Sequence, residues 1–525
     1  MTGIAMAPSF PTNTSVLRYR CAIQSLPLDT LIQIFALLVA ADFSIANLDF
    51  RGRRIMMTRH YDDSDEDDDE EGEEDVAQLE ERQGFHSIHL APRNVSQVCR
   101  RWRAVILDSS LLWSMLSIKT SDIYREGFTL EHLVSVVKDR LRKSGNAPLT
   151  VSLGLGYSGI GIRDFREPGD AFHTFIDTVA SERQRWKKVY IVSFLCPSRR
   201  NLPVFNDLPL LEELSICIPV PWDDHDVNSS TTTIDLSTCG ELKTLKLDGK
   251  FEFISDGTVL KKLAHVEFTR HTNSPFSSHG AFTALQATFI AQLAPALVTL
   301  ILDVFPSKGS SLLRPIPLDG EIRLEHLREL RIKTYDKVEA VLPEVAVFFN
   351  RLILPSLKVL EVELENHLDV ASLINRSGCS IATLCFDASR GAMPKDESEA
   401  LIVSWLSRMP ELQELTIDNV EISSSLIAHL VLSRSAPGET GGDDDSCRII
   451  GLCPSLKNLR LIQCDFYEWG LVRNFVNMLR SRLREAEGSV GKMEKFYAGD
   501  CDIRDIMKHT AVREWMAQGI DLDFY

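Results

Sequence analysis

Apolar residues recur along this chain in two rhythms. Near the N-terminus the spacing is three and four: Leu28, Leu31, Ile32, Phe35 and Leu38 fall on one face of a helix, and Pro27 suits its first turn. A second stretch keeps the same rhythm with Val95, Val98, Cys99, Trp102, Val105 and Ile106 on one stripe, flanked by Arg100, Arg101 and Arg103. Asp108 is placed to cap a short third helix carrying Leu111, Leu112 and Trp113.

From about residue 186 the rhythm changes to apolar-x-x-apolar-x-apolar. It occurs at Leu211/Leu214/Ile216, Leu242/Leu245/Leu247, Leu263/Val266/Phe268, Leu297/Leu300/Leu302 and Leu327/Leu330/Ile332. It returns at Leu357/Leu360/Val362, Ile381/Leu384/Phe386, Leu412/Leu415/Ile417 and Leu456/Leu459/Leu461, with Trp186/Val189/Ile191 as an earlier copy and Leu149/Val151/Leu153 as an introductory strand. The last two apolar residues of a copy sit two apart, so both point to the same side of a short strand, and the first fixes the turn before it. One such strand cannot bury its face alone, whereas stacked copies can. The pattern therefore predicts an α/β solenoid with parallel strands on the concave side and helices on the convex side. Return helices are expected over Ala281 to Leu293, Val345 to Leu354, Glu397 to Ser407 and Trp469 to Leu483. The copies start 31, 21, 34, 30, 30, 24, 31 and 44 residues apart, so the stack is irregular and some intervals must hold long loops. Asp223 to Thr233, Ser307 to Leu318 and Pro437 to Ser446 have the polar, Gly- and Pro-rich composition for them. The segment from Met493 to Tyr525 is expected to add a strand and helix that close the stack.

Residues between and just after each inward pair are expected on the concave, binding face. They include Lys246, Asp248, Arg331, Lys333, Glu361, Glu363, Asp418 and Arg460. Basic and acidic members are mixed along this set, which indicates neither a phosphate chain nor a peptide of one sign. Arg331 and Lys333 lie one copy before Glu361 and Glu363, an arrangement that favours ion pairs between neighbouring strands over a ligand site.

Charge changes the picture in one place. The chain carries −17 overall, but Asp62 to Asp75 holds twelve carboxylates in fourteen positions, and without those twelve the remainder carries −5. Such a run repels itself and builds no core, so residues from about 42 to 88 are expected to form a solvated insertion between the two helical stretches. Loop closure costs only about 0.6 kcal/mol per doubling of length, so the insertion need not unfold what it interrupts. Ser64, followed by D-E-D-D-D, is a candidate for phosphorylation by an acid-directed kinase. Arg51, Arg53, Arg54 and Arg59 precede the run and are read as partners for it rather than an import signal.

Other chemistry is thin. At 525 residues with 44% hydrophobic content the chain is long enough for an extensive core. Residues 1–24 read as a disordered tail without a secretory signal, and the longest apolar stretch, Leu31 to Ala41, falls short of the roughly twenty residues needed to span a bilayer. An intracellular protein, cytoplasmic or nuclear, is expected. The eleven cysteines include no C-x-x-C pair and match no zinc pattern with histidines, so reduced thiols are expected. No basic stripe with interleaved aromatics points to nucleic acid. Gly154-x-Gly156-x-x-Gly159 follows a strand but does not open into a helix, as a nucleotide turn should. No catalytic set, metal or cofactor is predicted.

Two resemblances follow from these residues. L-P-x-D-x-L-x-x-I-F from Leu26, then S-x-V-C-R-x-W-R from Ser96 and a D-x-x-x-L-W close, resemble an F-box of the fungal kind, interrupted by the acidic insertion and covering about 45 positions in two pieces. The repeated L-x-x-L-x-L pattern resembles a leucine-rich repeat domain. The resemblance implies a helical module over residues 25–118, repeats over 119–492 and a cap over 493–525. It also implies binding to a Skp-type linker subunit, and through it a cullin, by Leu26, Pro27, Leu31, Ile34, Phe35, Val98 and Trp102. The repeats would hold a target protein for ubiquitin transfer, and neither nucleic acid nor membrane is an expected partner. A stand-alone leucine-rich scaffold, its N-terminal helices merely capping the first repeat, is the alternative that the residues leave open.

Overall fold

A computed structural model describes residues 26–39, 91–119, 129–155, 170–193, 205–218, 232–249, 251–269, 282–304, 320–334, 342–363, 368–387, 395–434, 449–464, 471–483, 493–499, 501, 504–518 and 521–524. The acidic run, Ser64, Arg51 to Arg59, the N-terminal tail, Gly156, Gly159 and the loops expected over 307–318 and 437–446 lie outside these residues.

The alternation Leu-x-Ile, Leu-x-Leu and its variants suits a strand buried on one side, and it produces a mixed α/β architecture built on a single 14-stranded sheet. Its strands are Met115–Lys119, Leu149–Leu155, Trp186–Ser193, Glu213–Cys217, Thr244–Asp248, His265–Thr269, Thr299–Val304, Glu329–Thr334, Val359–Glu363, Thr383–Asp387, Glu414–Asp418, Asn458–Ile462, Lys495–Gly499 and Asp521–Phe524. Each pairs with the next in parallel, and their order across the sheet is their order in the chain. A nucleotide-binding crevice of the doubly wound kind forms where strand order reverses. This sheet has no reversal, and Gly154 lies inside a strand opposite Lys119 and Val192.

Register turns the sequence pattern into two rows. Leu214, Leu245, Val266, Leu300, Leu330, Leu360, Leu384, Leu415 and Leu459 face one another in succession, and Ile216, Leu247, Phe268, Leu302, Ile332, Val362, Phe386, Ile417 and Leu461 form the second row. All are buried in one continuous core. The first apolar residue of most copies closes a turn: the N–H groups of Leu211, Leu242, Leu263, Leu297, Leu327, Leu357, Leu412 and Leu456 donate to the carbonyl three residues earlier at 3.0–3.4 Å. Those acceptor residues, Leu208, Cys239, Leu260, Ala294, Leu324, Leu354, Met409 and Cys453, form another buried column that the L-x-x-L-x-L pattern does not reveal. Carbonyls at the strand entrances continue the ladder; the Val298 oxygen accepts from both Arg328 and Glu329 at 2.8 and 3.1 Å.

Helices fill the connections. The expected ones form at Ala284–Leu293, Leu342–Arg351, Lys395–Leu406 and Leu471–Leu483. The first is set by a capping box in which the Thr283 hydroxyl accepts from Gln286 N–H and the Gln286 side chain accepts from Thr283 N–H. Further helices, at Leu130–Lys143, Asp170–Ala180 and Val370–Ser377, were not evident from the repeat spacing. The last starts at the Asp369 cap and stops at Gly378, whose φ of 60° suits glycine. Helix faces close the core against the strand rows, as where Trp405 meets Phe386 at 6.4 Å and Phe475 meets Phe496 at 5.1 Å. Arginines tie successive layers together: Arg376 donates to the Leu352 and Phe349 carbonyls, and the buried Arg482 to those of Leu430, Cys453 and Leu452.

Three small sheets lie beside the large one. In one of them Thr232–Asp235 pairs with Phe251–Ile254, so the end of the loop expected over Asp223 to Thr233 is instead strand. Phe253 of this sheet stacks with Phe268 and Phe282, the last two with ring centroids 3.7 Å apart. The C-terminal region supplies two strands and two helices, Arg504–Lys508 and Thr510–Ala517, rather than one of each. Among the described residues no helix is long and apolar enough to cross a membrane.

Candidate docking surfaces

The two N-terminal stretches meet. Residues 28–39 form one helix, and Leu31, Phe35 and Val39, four apart, face Val105, Ile106, Leu112 and Trp113 in a small cluster separate from the main core. Phe35 and Trp102 contact edge to face, ring centroids 5.0 Å apart with an interplanar angle of 63°. The Arg101 guanidinium donates to the Leu26 carbonyl at 2.6 Å across 75 positions of chain. The Trp113 indole N–H donates to the Ile106 carbonyl at 2.7 Å, which satisfies a buried donor inside the cluster.

The second stretch is not one continuous stripe. It breaks into Ala91–Ser96 and Arg100–Asp108, because the Cys99 backbone is extended and its sulfur caps the second helix by accepting from Trp102 N–H. The break swings Val98 out of the stripe, leaving it 61% exposed. Ser109, not Asp108, occupies the cap position of the short helix Ser110–Trp113, and Asp108 ends the helix before it.

This arrangement divides the expected linker-binding residues. Leu31 and Phe35 are buried inside the cluster, so they set its shape rather than its surface. Leu26, Ile34 and Trp102 are half-buried, and Pro27 and Val98 are exposed. Leu28, Leu37, Leu38, Leu107 and Leu111 add further exposed apolar side chains, Leu37 at 71%. The stripe that sequence assigned to one face is thus shared between an interior and a surface. The cluster also joins the large sheet directly. Met115–Lys119 is its first strand, Ser114 O accepts from Thr150 N–H at 2.9 Å, and Arg140 donates to the Met115 carbonyl at 2.6 Å. The boundary expected at 118/119 therefore falls within a strand.

On the open side of the sheet, the candidate residues largely engage one another. Lys246 pairs with Glu267 at 2.5 Å. Glu361 accepts from Arg331 at 3.1 Å and from Lys333 at 2.7 Å, and Arg331 also holds Glu329. The ion-pair reading of Arg331, Lys333 and Glu361 is the one the geometry supports. Arg460 lies over the Tyr497 ring at 5.1 Å. Asp248 and Glu363 are each about 5% exposed or less, and Asp248 accepts from the Cys217 thiol. Asp418 stands opposite Asp387 on the preceding strand. Burial first, then the Asp387 carboxylate, hold the Asp418 carboxyl above its ordinary value, with Lys333 opposing them. No group of three or more His, Cys, Asp or Glu suited to a metal ion occurs among the described residues.

Two surfaces result: an exposed apolar rim on a small helical cluster, and a charged sheet face on which Lys246, Arg331 and Lys333 are paired with Glu267 and Glu361. Comparison with known proteins leaves that description unassigned, as no protein-family model and no curated protein matches the chain.

Proposed function

We propose that the chain is a substrate-recognition adaptor of a Skp/cullin/F-box type ubiquitin ligase. In this reading the N-terminal helices are an F-box-like module that grips the Skp-type linker, and the stacked strands are an irregular leucine-rich-repeat solenoid that holds a target protein. The observation that carries it is the meeting of Phe35 with Trp102 at 5.0 Å, which assembles one helical unit from two pieces of chain. That unit keeps Pro27, Leu28, Leu37 and Val98 exposed. A cluster this small has too little interior to be robust alone, and burying its apolar rim against a partner supplies what is missing. The strand order, one after another along the chain, supports the solenoid half of the reading.

Catalysis is assigned to other subunits, and the chain's part is to position. In this reading the target is held by the sheet face, which the pairs Lys246 with Glu267, and Arg331 and Lys333 with Glu361, keep rigid.

The second reading, a stand-alone scaffold, is favoured by one observation: the helical cluster runs without a break into the first strand of the sheet. Retention of a purified Skp-type linker by the full-length chain, and its loss when Leu26, Pro27 or Phe35 is replaced, separates the two. No retention by the folded wild type favours the scaffold.

A further inference from the structure

Cys464 and Cys501 are 37 residues apart in sequence, yet the backbone of the first meets the sulfur of the second. Cys464 N–H donates to the Cys501 sulfur at 3.2 Å. Register explains the meeting. Asn458–Ile462 and Lys495–Gly499 run parallel with Ile462 opposite Gly499, and each cysteine lies two residues beyond that pair. Adjacent strands are about 4.8 Å apart, and the 3.2 Å contact from Cys464 N–H to the Cys501 sulfur keeps the two chains close just past the paired ends, as the roughly 4.4–6.8 Å between Cα atoms of a disulfide requires.

The sulfurs are also held in place. The Cys501 thiol lies against the carbonyls of Gly499 and Leu461 at 3.2 and 3.7 Å, and the Cys464 thiol against those of Ile462 and Ile417 at 3.3 and 3.5 Å. Cys464 is fully buried, whereas Cys501 is half-buried, so a reagent from solvent meets Cys501 first.

We propose that Cys464 and Cys501 form an oxidant-responsive dithiol site, converted by a low-molecular-weight disulfide into a bond that staples the C-terminal end of the sheet. Cys501 loses its proton to solvent and attacks one sulfur of oxidised glutathione, expelling one glutathione thiolate. Cys464 gives its proton to that thiolate and attacks the Cys501 sulfur. The second glutathione leaves as a thiolate and takes up a proton from solvent. Two protein thiols and one glutathione disulfide thus become one protein disulfide and two glutathione thiols. The second attack is the slower one, because the neighbouring thiol and burial both push the Cys464 thiol upward. The bond secures Lys495–Gly499, on which the last strand, Asp521–Phe524, depends for its pairing.

The test is incubation of the full-length protein with oxidised glutathione, alkylation under denaturing conditions and peptide mass mapping. A Cys464–Cys501 linked peptide, lighter by two hydrogens, is expected, with a melting temperature about 5 °C higher. Cys464→Ser should stop at a glutathione adduct on Cys501, and Cys501→Ser should leave Cys464 reduced. Melting curves of the reduced variants establish that both are folded. Wild type in which both cysteines remain free, in which the Cys501 adduct persists, or in which either links to a different cysteine overturns the proposal.

Discussion

The edge of one ring in the pair Phe35 and Trp102 is set against the face of the other, 5.0 Å between centroids, and this contact joins helices that most of the first hundred residues separate. Phe35 is buried and Trp102 half-buried, so the contact belongs to the interior of the cluster and its rim. Phe35→Ala should cost about 3–5 kcal/mol within this cluster. Hydrogen exchange should accelerate over residues 28–39 and 100–113 while the sheet rows from Leu214 to Leu459 keep their protection. Uniform acceleration across both regions would show that the cluster does not open by itself.

Arg482 presents a guanidinium, 1% exposed, to three carbonyls at 2.7–3.0 Å. Burial pushes its pKa down to about 10, which still leaves it charged at neutral pH. Arg482→Met should destabilise by about 3 kcal/mol, because two buried acceptors and one half-buried acceptor lose their donor. Arg482→Lys should recover only part of this, since an ammonium cannot reproduce the planar fork. Urea unfolding midpoints give the order wild type, Lys, Met; equal midpoints for all three would remove the strut.

Asp418 is a carboxyl whose folded pKa lies above its unfolded value, through burial and the facing Asp387. The folded chain therefore binds the proton more tightly, and this residue's contribution to stability falls as pH rises from the unfolded value through the folded one. At neutral pH the charge is a net cost. Asp418→Asn should raise the melting temperature at pH 7 and lose most of that gain in acid, where the wild-type carboxyl is already protonated. An equal shift at both pH values would assign the effect to packing.

The sheet was legible because a two-residue alternation leaves one geometric solution for each strand. Leu330 and Ile332 point inward, and Arg331 reaches its neighbour's Glu361. The buried column before each strand was not legible, because its members include Cys239, Ala294, Met409 and Cys453 rather than a run of leucines. The helical cluster was legible from its spacing, but the break at Cys99 was not, because an extended residue with a capping sulfur leaves no mark in an apolar periodicity. Val98 changed from stripe to surface for that reason. Asp248 and Glu363 were expected at an open face and lie buried instead, since position in a strand fixes the side but not what covers the strand end.

Equilibrium titration of the purified full-length chain with a purified Skp-type linker tests the central claim most directly. One-to-one binding is expected, weakened about thirtyfold or more in Val98→Glu and Leu28→Glu, exposed positions where folding tolerates the change. Unchanged binding is expected in Glu361→Gln on the sheet face. Absence of binding by the folded wild type, or equal affinity in all four proteins, would contradict the claim.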